Sequence, residues 1–249
     1  MNLADVPKEK LSPGMRQYVT MKEKYPDCIV FFRLGDFYEM FFEDAILVSK
    51  ELELTLTGKE CGLEERAPMC GVPFHSAEIY LKRLVDKGYK IAVCEQMTDP
   101  ALAKGLVERD VVRIVTPGTL IESTMLDDAA NNYIGCFYDG GEAGGAVVFA
   151  DLSTGEMKLS VLRQRDDNLT AEILDLLSRY RPSELLLNEK AMTRRTILDF
   201  IKIRLQCTIT RRAETCFDLK TGVPLLCEQF GVDTPEILGL SGDADIKAV

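Results

Sequence analysis

Phe37 and Glu39, two residues apart around Tyr38, are the side chains in this sequence whose types and spacing point most directly to chemistry. They follow the turn pair Gly35-Asp36, where a strand-like run, Cys28–Leu34, gives way to helical periodicity. The spacing of Phe41, Ala45, Val48 and Leu52 predicts a helix that begins near Tyr38. Phe37 then stands at a junction where its ring projects. A projecting ring can slide between base pairs, and a carboxylate beside it can test a base edge. Taken alone, a Phe beside a strand is by general habit a core residue. A Glu in a first helical turn is by the same token a solvated group favoured by the helix dipole.

The chemistry available to the pair is specific. Inserting a ring unstacks a base step and costs a few kcal/mol, less where the pair is already mismatched. Such a ring reads deformability rather than sequence. An ionised carboxylate only accepts hydrogen bonds, as does purine N7, so Glu39 would meet N7 only as the neutral acid. A thymine or guanine imino N–H would instead suit the ionised form.

The elements that must position these residues read as mixed α/β. Ser12-Pro13 starts a helix that ends before Pro26. Strand Cys28–Leu34, helix Tyr38–Leu52 and a short strand Leu54–Thr57 follow. Met69 falls in a loop braced by Pro68 and Pro73, Ser76 can cap a further helix that stops at Gly88, and Tyr89–Glu95 and Val111–Val115 read as strands. Pro117-Gly118 and the polar stretch Glu122–Asn132 mark a boundary. Beyond it come strands Tyr133–Tyr138, Ala146–Asp151 and Glu156–Leu162 as an antiparallel meander. Two helices then alternate with strands Glu184–Leu187 and Cys207–Thr210, a pattern that fits an RNase H-like sheet. The expected organisation is a first domain over 1–118, a linker over 119–131 and a second domain over 132–249.

Composition excludes several classes. Eight cysteines lack any Cys-x-x-Cys pair and His75 is the only histidine, so zinc is not expected and the thiols, Cys94 and Cys136 among them, read as reduced small hydrophobes. His75 reads as structural. No stretch is long and apolar enough to span a membrane, and the start has no signal-peptide pattern, which makes a cytoplasmic protein the default. Thirty basic against forty acidic residues leave a net charge of −10, which by itself argues against a polyanionic partner. No Gly-x-x-x-x-Gly-Lys-[Ser/Thr] occurs, since Gly58-Lys59-Glu60 lacks the hydroxyl that would hold magnesium. A nuclease would need carboxylates converging on two metals, and the strand expected over Tyr133–Tyr138 carries none.

Four blocks of residues resolve the ambiguity at Phe37. Arg33-Leu34-Gly35-Asp36-Phe37-Tyr38-Glu39 resembles the Phe-x-Glu signature of the MutS family of DNA mismatch repair proteins. Pro68-Met69-Cys70-Gly71-Val72-Pro73-Phe74-His75, Val93-Cys94-Glu95-Gln96-Met97-Thr98-Asp99-Pro100 and the run Val107–Thr119 resemble the same family, in its order and near its spacing. The resemblance implies that Phe37 is a mismatch wedge and Glu39 its contact to the mispaired base. It implies that Met69 lies against DNA, with Lys59, Arg109 and Arg113 as candidate backbone contacts.

For the whole chain the resemblance implies a mismatch-recognition domain followed by an RNase H-like connector domain that relays to the ATPase and docks MutL. The final residues, Gly242–Val249, show no helix stop. The chain is therefore expected to be an N-terminal piece truncated before the lever domain, with no catalysis or cofactor of its own. ATP, magnesium and a homodimer are implied only for a full-length protein, whose place would be cytoplasmic and nucleoid-associated. The rival expectation is an acidic protein-interaction module with negligible DNA binding.

Overall fold

The computed structural model describes residues 3, 6–98, 105–122, 125–126, 130–162 and 167–249. Asp99, Pro100 and part of the expected 119–131 linker lie outside the described residues. The chain divides into two compact units, Met1–Thr116 and Pro117–Val249, each with its own sheet and core.

In the first unit, helix α1 (Pro13–Lys24) leads into β1 (Cys28–Leu34). The chain then reverses through Gly35-Asp36 into β2 (Phe37–Phe41), which runs antiparallel to β1 with Leu34 opposite Phe37. Gly35 adopts φ 57°, the left-handed backbone that tight hairpin turns need and that glycine adopts without penalty. The helix expected from Tyr38 therefore begins later: α2 spans Phe42–Leu52. The physical reason is that β2 is an interior strand, paired to β1 on one edge and to β4 on the other. Ladder hydrogen bonds on both edges hold Phe37–Phe41 extended, although the helical spacing of Phe41 with Ala45, Val48 and Leu52 continues straight back into it.

The sheet is completed by β3 (Thr57–Lys59), β4 (Ala67–Pro73), β5 (Lys90–Gln96) and β6 (Arg109–Val115), in the order β3-β4-β2-β1-β5-β6. The short strand expected over Leu54–Thr57 thus starts at Thr57. Met69 lies in a strand and not in a loop, because the two prolines beside it sit where β4 tolerates them: Pro68 opposite Gly58 of the outer strand, Pro73 as the last residue. Helix α3 (Ala77–Val85) packs with α2 over one face, and α1 covers part of the other.

One buried carboxylate joins these layers. Asp44, at the start of α2, accepts hydrogen bonds from Tyr18 Oη at 2.9 Å, Lys22 Nζ at 2.8 Å and the Val30 amide at 2.9 Å. The Tyr18 hydroxyl oxygen also lies 3.1 Å from the Phe41 carbonyl and accepts from the Phe41 amide at 3.4 Å, which fixes the far end of β2 against α1. Burial first, and Asp44 second, push the Tyr18 hydroxyl well above the usual tyrosine range.

In the second unit β7 (Tyr133–Asp139), β8 (Gly145–Asp151) and β9 (Glu156–Leu162) form the antiparallel meander. Helix α4 (Asp167–Tyr180) leads to β10 (Glu184–Leu187), and α5 (Arg195–Arg204) leads to β11 (Thr208–Arg211). Both later strands run parallel, β10 to β7 and β11 to β10, giving the order β11-β10-β7-β8-β9; the antiparallel meander followed by alternating helix and strand is as expected. Helices α6 (Leu219–Phe230) and α7 (Asp243–Ala248) follow.

Strand β7 runs one residue further than expected and so does carry a carboxylate, Asp139. That group takes 2.7 Å from Arg194 Nε and caps the Gly141 amide. The buried carboxylates of Asp151 and Glu184 lie at the other end of β7, opposite or beside Tyr133 and Ile134. They hold Ser153 and Thr210 hydroxyls, each at 2.6 Å. The three therefore serve turns and strand ends separately. Among the described residues no group of His, Cys, Asp or Glu is placed to hold a metal ion, and no helix is long and apolar enough to cross a membrane.

The cysteine thiols are free. Burial pushes Cys70, Cys94, Cys136 and Cys207 up to about 12. Cys94 is fully buried and Cys136 half-buried within their strands.

Candidate nucleic-acid interface

Strand alternation places Phe37, Glu39 and Phe41 on one face of the first sheet and Tyr38 and Met40 on the other. Cross-strand pairing puts Leu34 beside Phe37, Phe32 and Gly71 beside Glu39, and Met69 beside Phe41. Helix α1 covers the Phe41 end of this face, where Phe32, Phe41 and Tyr18 are buried together. At the other end, next to the hairpin turn, Phe37 is 47% exposed. The ring thus stands out from a strand anchored at its far end, and its removal leaves no core cavity.

Glu39 sits one step further in. Its side chain is 15% exposed, and its carboxylate pairs with Lys59 Nζ at 2.5 Å. Lys59 lies on β3, so its side chain reaches across the intervening strand β4 to get there. Gly71, opposite Glu39, leaves room for the Glu39 side chain: a Cβ at that position would stand 3.2 Å from the Tyr38 carbonyl and 3.4 Å from Glu39 Cγ. Glu39 is therefore a mid-strand, ion-paired group rather than a helix-start carboxylate.

Tyr38 is buried against Phe31, ring centroids 6.0 Å apart, and donates to Glu95. Burial, then that carboxylate, pushes its hydroxyl up to about 12. Met69 is half-buried against the α1-side core, and its carbonyl accepts from Thr57 Oγ1 at 3.2 Å.

The two candidate arginines differ. Arg109 Nε donates to the Arg33 carbonyl at 2.7 Å, and its Nη1 to Gln17 Oε1 at 3.1 Å and the Val107 carbonyl at 2.9 Å. Its guanidinium also lies 5.2 Å from the Phe32 ring. Arg113 is half-buried on β6 opposite Val93, next to a bulge in the β5–β6 pairing. His75 packs edge-on to Phe74, centroids 5.8 Å apart.

The structure brings Phe37, Glu39, Lys59 and Met69 onto one face of neighbouring strands, with Arg109 on the same face at the far strand. Sequence reasoning gave no role to Arg33, whose guanidinium lies 3.6 Å from the Phe74 ring centre. Its position two residues before the Gly35 turn was visible. That it faces Tyr38 across the hairpin was not, because that follows only once Phe37–Phe41 is a strand.

Known proteins align with this architecture. The family model for MutS domain I matches residues 12–124 and that for MutS domain II matches residues 132–249. A protein named DNA mismatch repair protein MutS from Ruminiclostridium cellulolyticum is 48% identical over 227 residues, covering 91% of this chain and 26% of that protein. A protein of the same name from Clostridium tetani is 53% identical over 208 residues, 84% of this chain and 23% of that protein. One from Clostridium botulinum is 54% identical over 180 residues, 72% of this chain and 19% of that protein. The chain thus spans about a quarter of the length of these relatives. Matched in order by MutS domain I and MutS domain II over most of its length, this chain belongs to the MutS family.

Proposed function

We propose that the first unit reads mismatched double-stranded DNA, with the Phe37 ring inserted at the mispair and Glu39 touching the mispaired base. The observation that carries this reading is the exposure of Phe37 at the tip of an anchored hairpin, on the same face as a carboxylate two residues away. An exposed ring on a rigid strand loses little entropy on insertion. The cost of unstacking falls at a mismatch, so affinity rises there without a base-specific code. Met69, which pairs with Phe41 at the far end of β2 and is half-buried against the core, is a further candidate contact on the same face. Lys59, Arg113 and Arg109 are candidate backbone contacts, Arg109 with two nitrogens already engaged inside the protein.

In a protein of its relatives' length, the second unit would relay binding to an ATPase that uses ATP and magnesium, and would dock MutL. The chain's own part in that scheme involves no catalysis and no cofactor, in the cytoplasm at the nucleoid. Electrophoretic shift with mismatched against matched duplex, at low and at moderate salt, tests the reading. Preference for the mismatch supports it.

A second reading is favoured by one observation, the net charge of −10. Residues 1–120 hold 16 basic and 19 acidic residues, and 14 and 21 lie beyond, so −7 of that balance falls in the second half. On that reading the chain by itself is an acidic protein-interaction module, and neither duplex shifts.

A further inference from the structure

A wedge acts only if its ring is held in the attitude of insertion before DNA arrives; every alternative orientation of the turn dilutes the competent state and weakens binding in proportion. The turn that carries Phe37 is two residues long and begins with a glycine, the residue type least able to hold itself in place. Its rigidity has to come from outside the turn.

Arg33 supplies it. Nε donates to the Gly35 carbonyl at 2.5 Å, closing the turn from the strand that enters it. The guanidinium carbon lies over the Phe74 ring, 3.6 Å from its centre, and over the Tyr38 ring at 5.6 Å. Nη1 stands 3.6 Å from Glu95 Oε2, the carboxylate that Tyr38 also meets. The Phe74 amide in turn donates to the Asp36 carbonyl at 2.9 Å. Both carbonyls of the turn are therefore tied down, one by Arg33 directly and one by the residue on which Arg33 stacks. The Arg33 side chain is only 16% exposed, and Arg109 braces its own carbonyl from behind. A planar, permanently charged group with several donors can stack and hydrogen-bond at once, which an ammonium cannot do as well.

We propose that Arg33 is the positioning residue of the mismatch wedge: it locks the Gly35-Asp36 turn onto Phe74 and Glu95, so that the Phe37 ring is presented ready for insertion. The proposal rests on the reading of Phe37 as the wedge. Arg33 itself faces the opposite side of the sheet from Phe37 and works through the turn.

The test uses a full-length protein containing this segment, with matched and mismatched duplexes titrated by fluorescence anisotropy at several salt concentrations. Arg33→Met keeps the apolar stem and removes the guanidinium. It is expected to lower the mismatch-to-match affinity ratio about five- to tenfold, with matched affinity and its salt slope unchanged. Arg33→Lys, which retains a cation above Phe74, is expected to recover part of the ratio and guards against a folding defect in the first variant. In a Phe37→Ala background Arg33→Met is expected to cost nothing further, since no ring is left to present. Equal loss on both duplexes with a salt slope reduced by about one would make Arg33 a phosphate contact and overturn the proposal. A lower melting temperature with an unchanged ratio would make it merely structural and overturn it equally. If Phe37→Ala alone leaves the ratio intact while Arg33→Met lowers it, the wedge reading fails on its own account, independently of Arg33's link to the turn.

Discussion

Lys59 and Glu39 pair at 2.5 Å across an intervening strand, on which Gly71 stands opposite Glu39 and leaves room for its side chain. The consequence for DNA reading is direct. Any contact from Glu39 to a base must be made while its carboxylate shares or gives up the Lys59 ammonium. Lys59 in turn can offset the carboxylate's repulsion for nearby phosphates only while it stays close.

Lys59→Met and Glu39→Gln should therefore be coupled. Lys59 is partly exposed, so Glu39→Gln should cost at most about 1 kcal/mol of stability. Lys59→Met instead strands a carboxylate whose side chain is only 15% exposed and should cost roughly 1–3 kcal/mol. In mismatch binding, Lys59→Met should weaken discrimination in the wild-type background and do little in the Glu39→Gln background. A double-mutant cycle on the binding free energies checks this. Strictly additive effects would mean that Lys59 acts on the phosphates alone. Glu39→Gln also separates the two base contacts open to this residue: discrimination persists or strengthens if a neutral donor is what the base requires, and weakens at every pH if a carboxylate is.

Asp44→Ala should destabilise the first unit by roughly 3 kcal/mol, because it strands Lys22 and leaves the Tyr18 hydroxyl and Val30 amide without their buried acceptor. Chemical denaturation would report it. A loss below about 1 kcal/mol would show that water replaces the carboxylate easily and that the anchor of β2 lies elsewhere.

Thiol labelling of the native chain at mildly alkaline pH should find Cys216 first, as the one exposed thiol among the described residues. Cys70 and Cys94, buried and pushed up to about 12, should react only after unfolding. Mass spectrometry of the labelled peptides decides the order. Early labelling of Cys94 would mean that the sheet behind the hairpin opens readily.

Limited proteolysis should cut first within 119–131 and release two resistant pieces, since the compact units meet at Thr116–Pro117 and the polar stretch follows. A first cut inside α2 or the β8–β9 hairpin would contradict the division.

Much of this arrangement was legible from local signals. The Gly35 turn, β1, the three-strand meander and the later alternation of helix and strand each carry their own periodicity or breaker residues. The misread elements share one cause. Phe37–Phe41 carries a helical period that ladder bonds on both edges override, and Met69 sits between prolines that look like loop markers until the partner strands are known. Placing Phe37 and Glu39 needed only the motif. Their surroundings, Lys59 paired with Glu39 across β4 and Arg33 against Phe74, join residues 20 or more apart in sequence and follow only from the strand pairing.

The central claim is that Phe37 is a tool and not a core residue, and Phe37→Ala in a full-length protein tests it most directly. Binding to mismatched and matched duplex is compared alongside thermal melting. With the ring 47% exposed, the melting temperature should hold within a degree or two while mismatch preference is lost. A fall in melting temperature of several degrees, or mismatch preference that survives the change, would contradict the account.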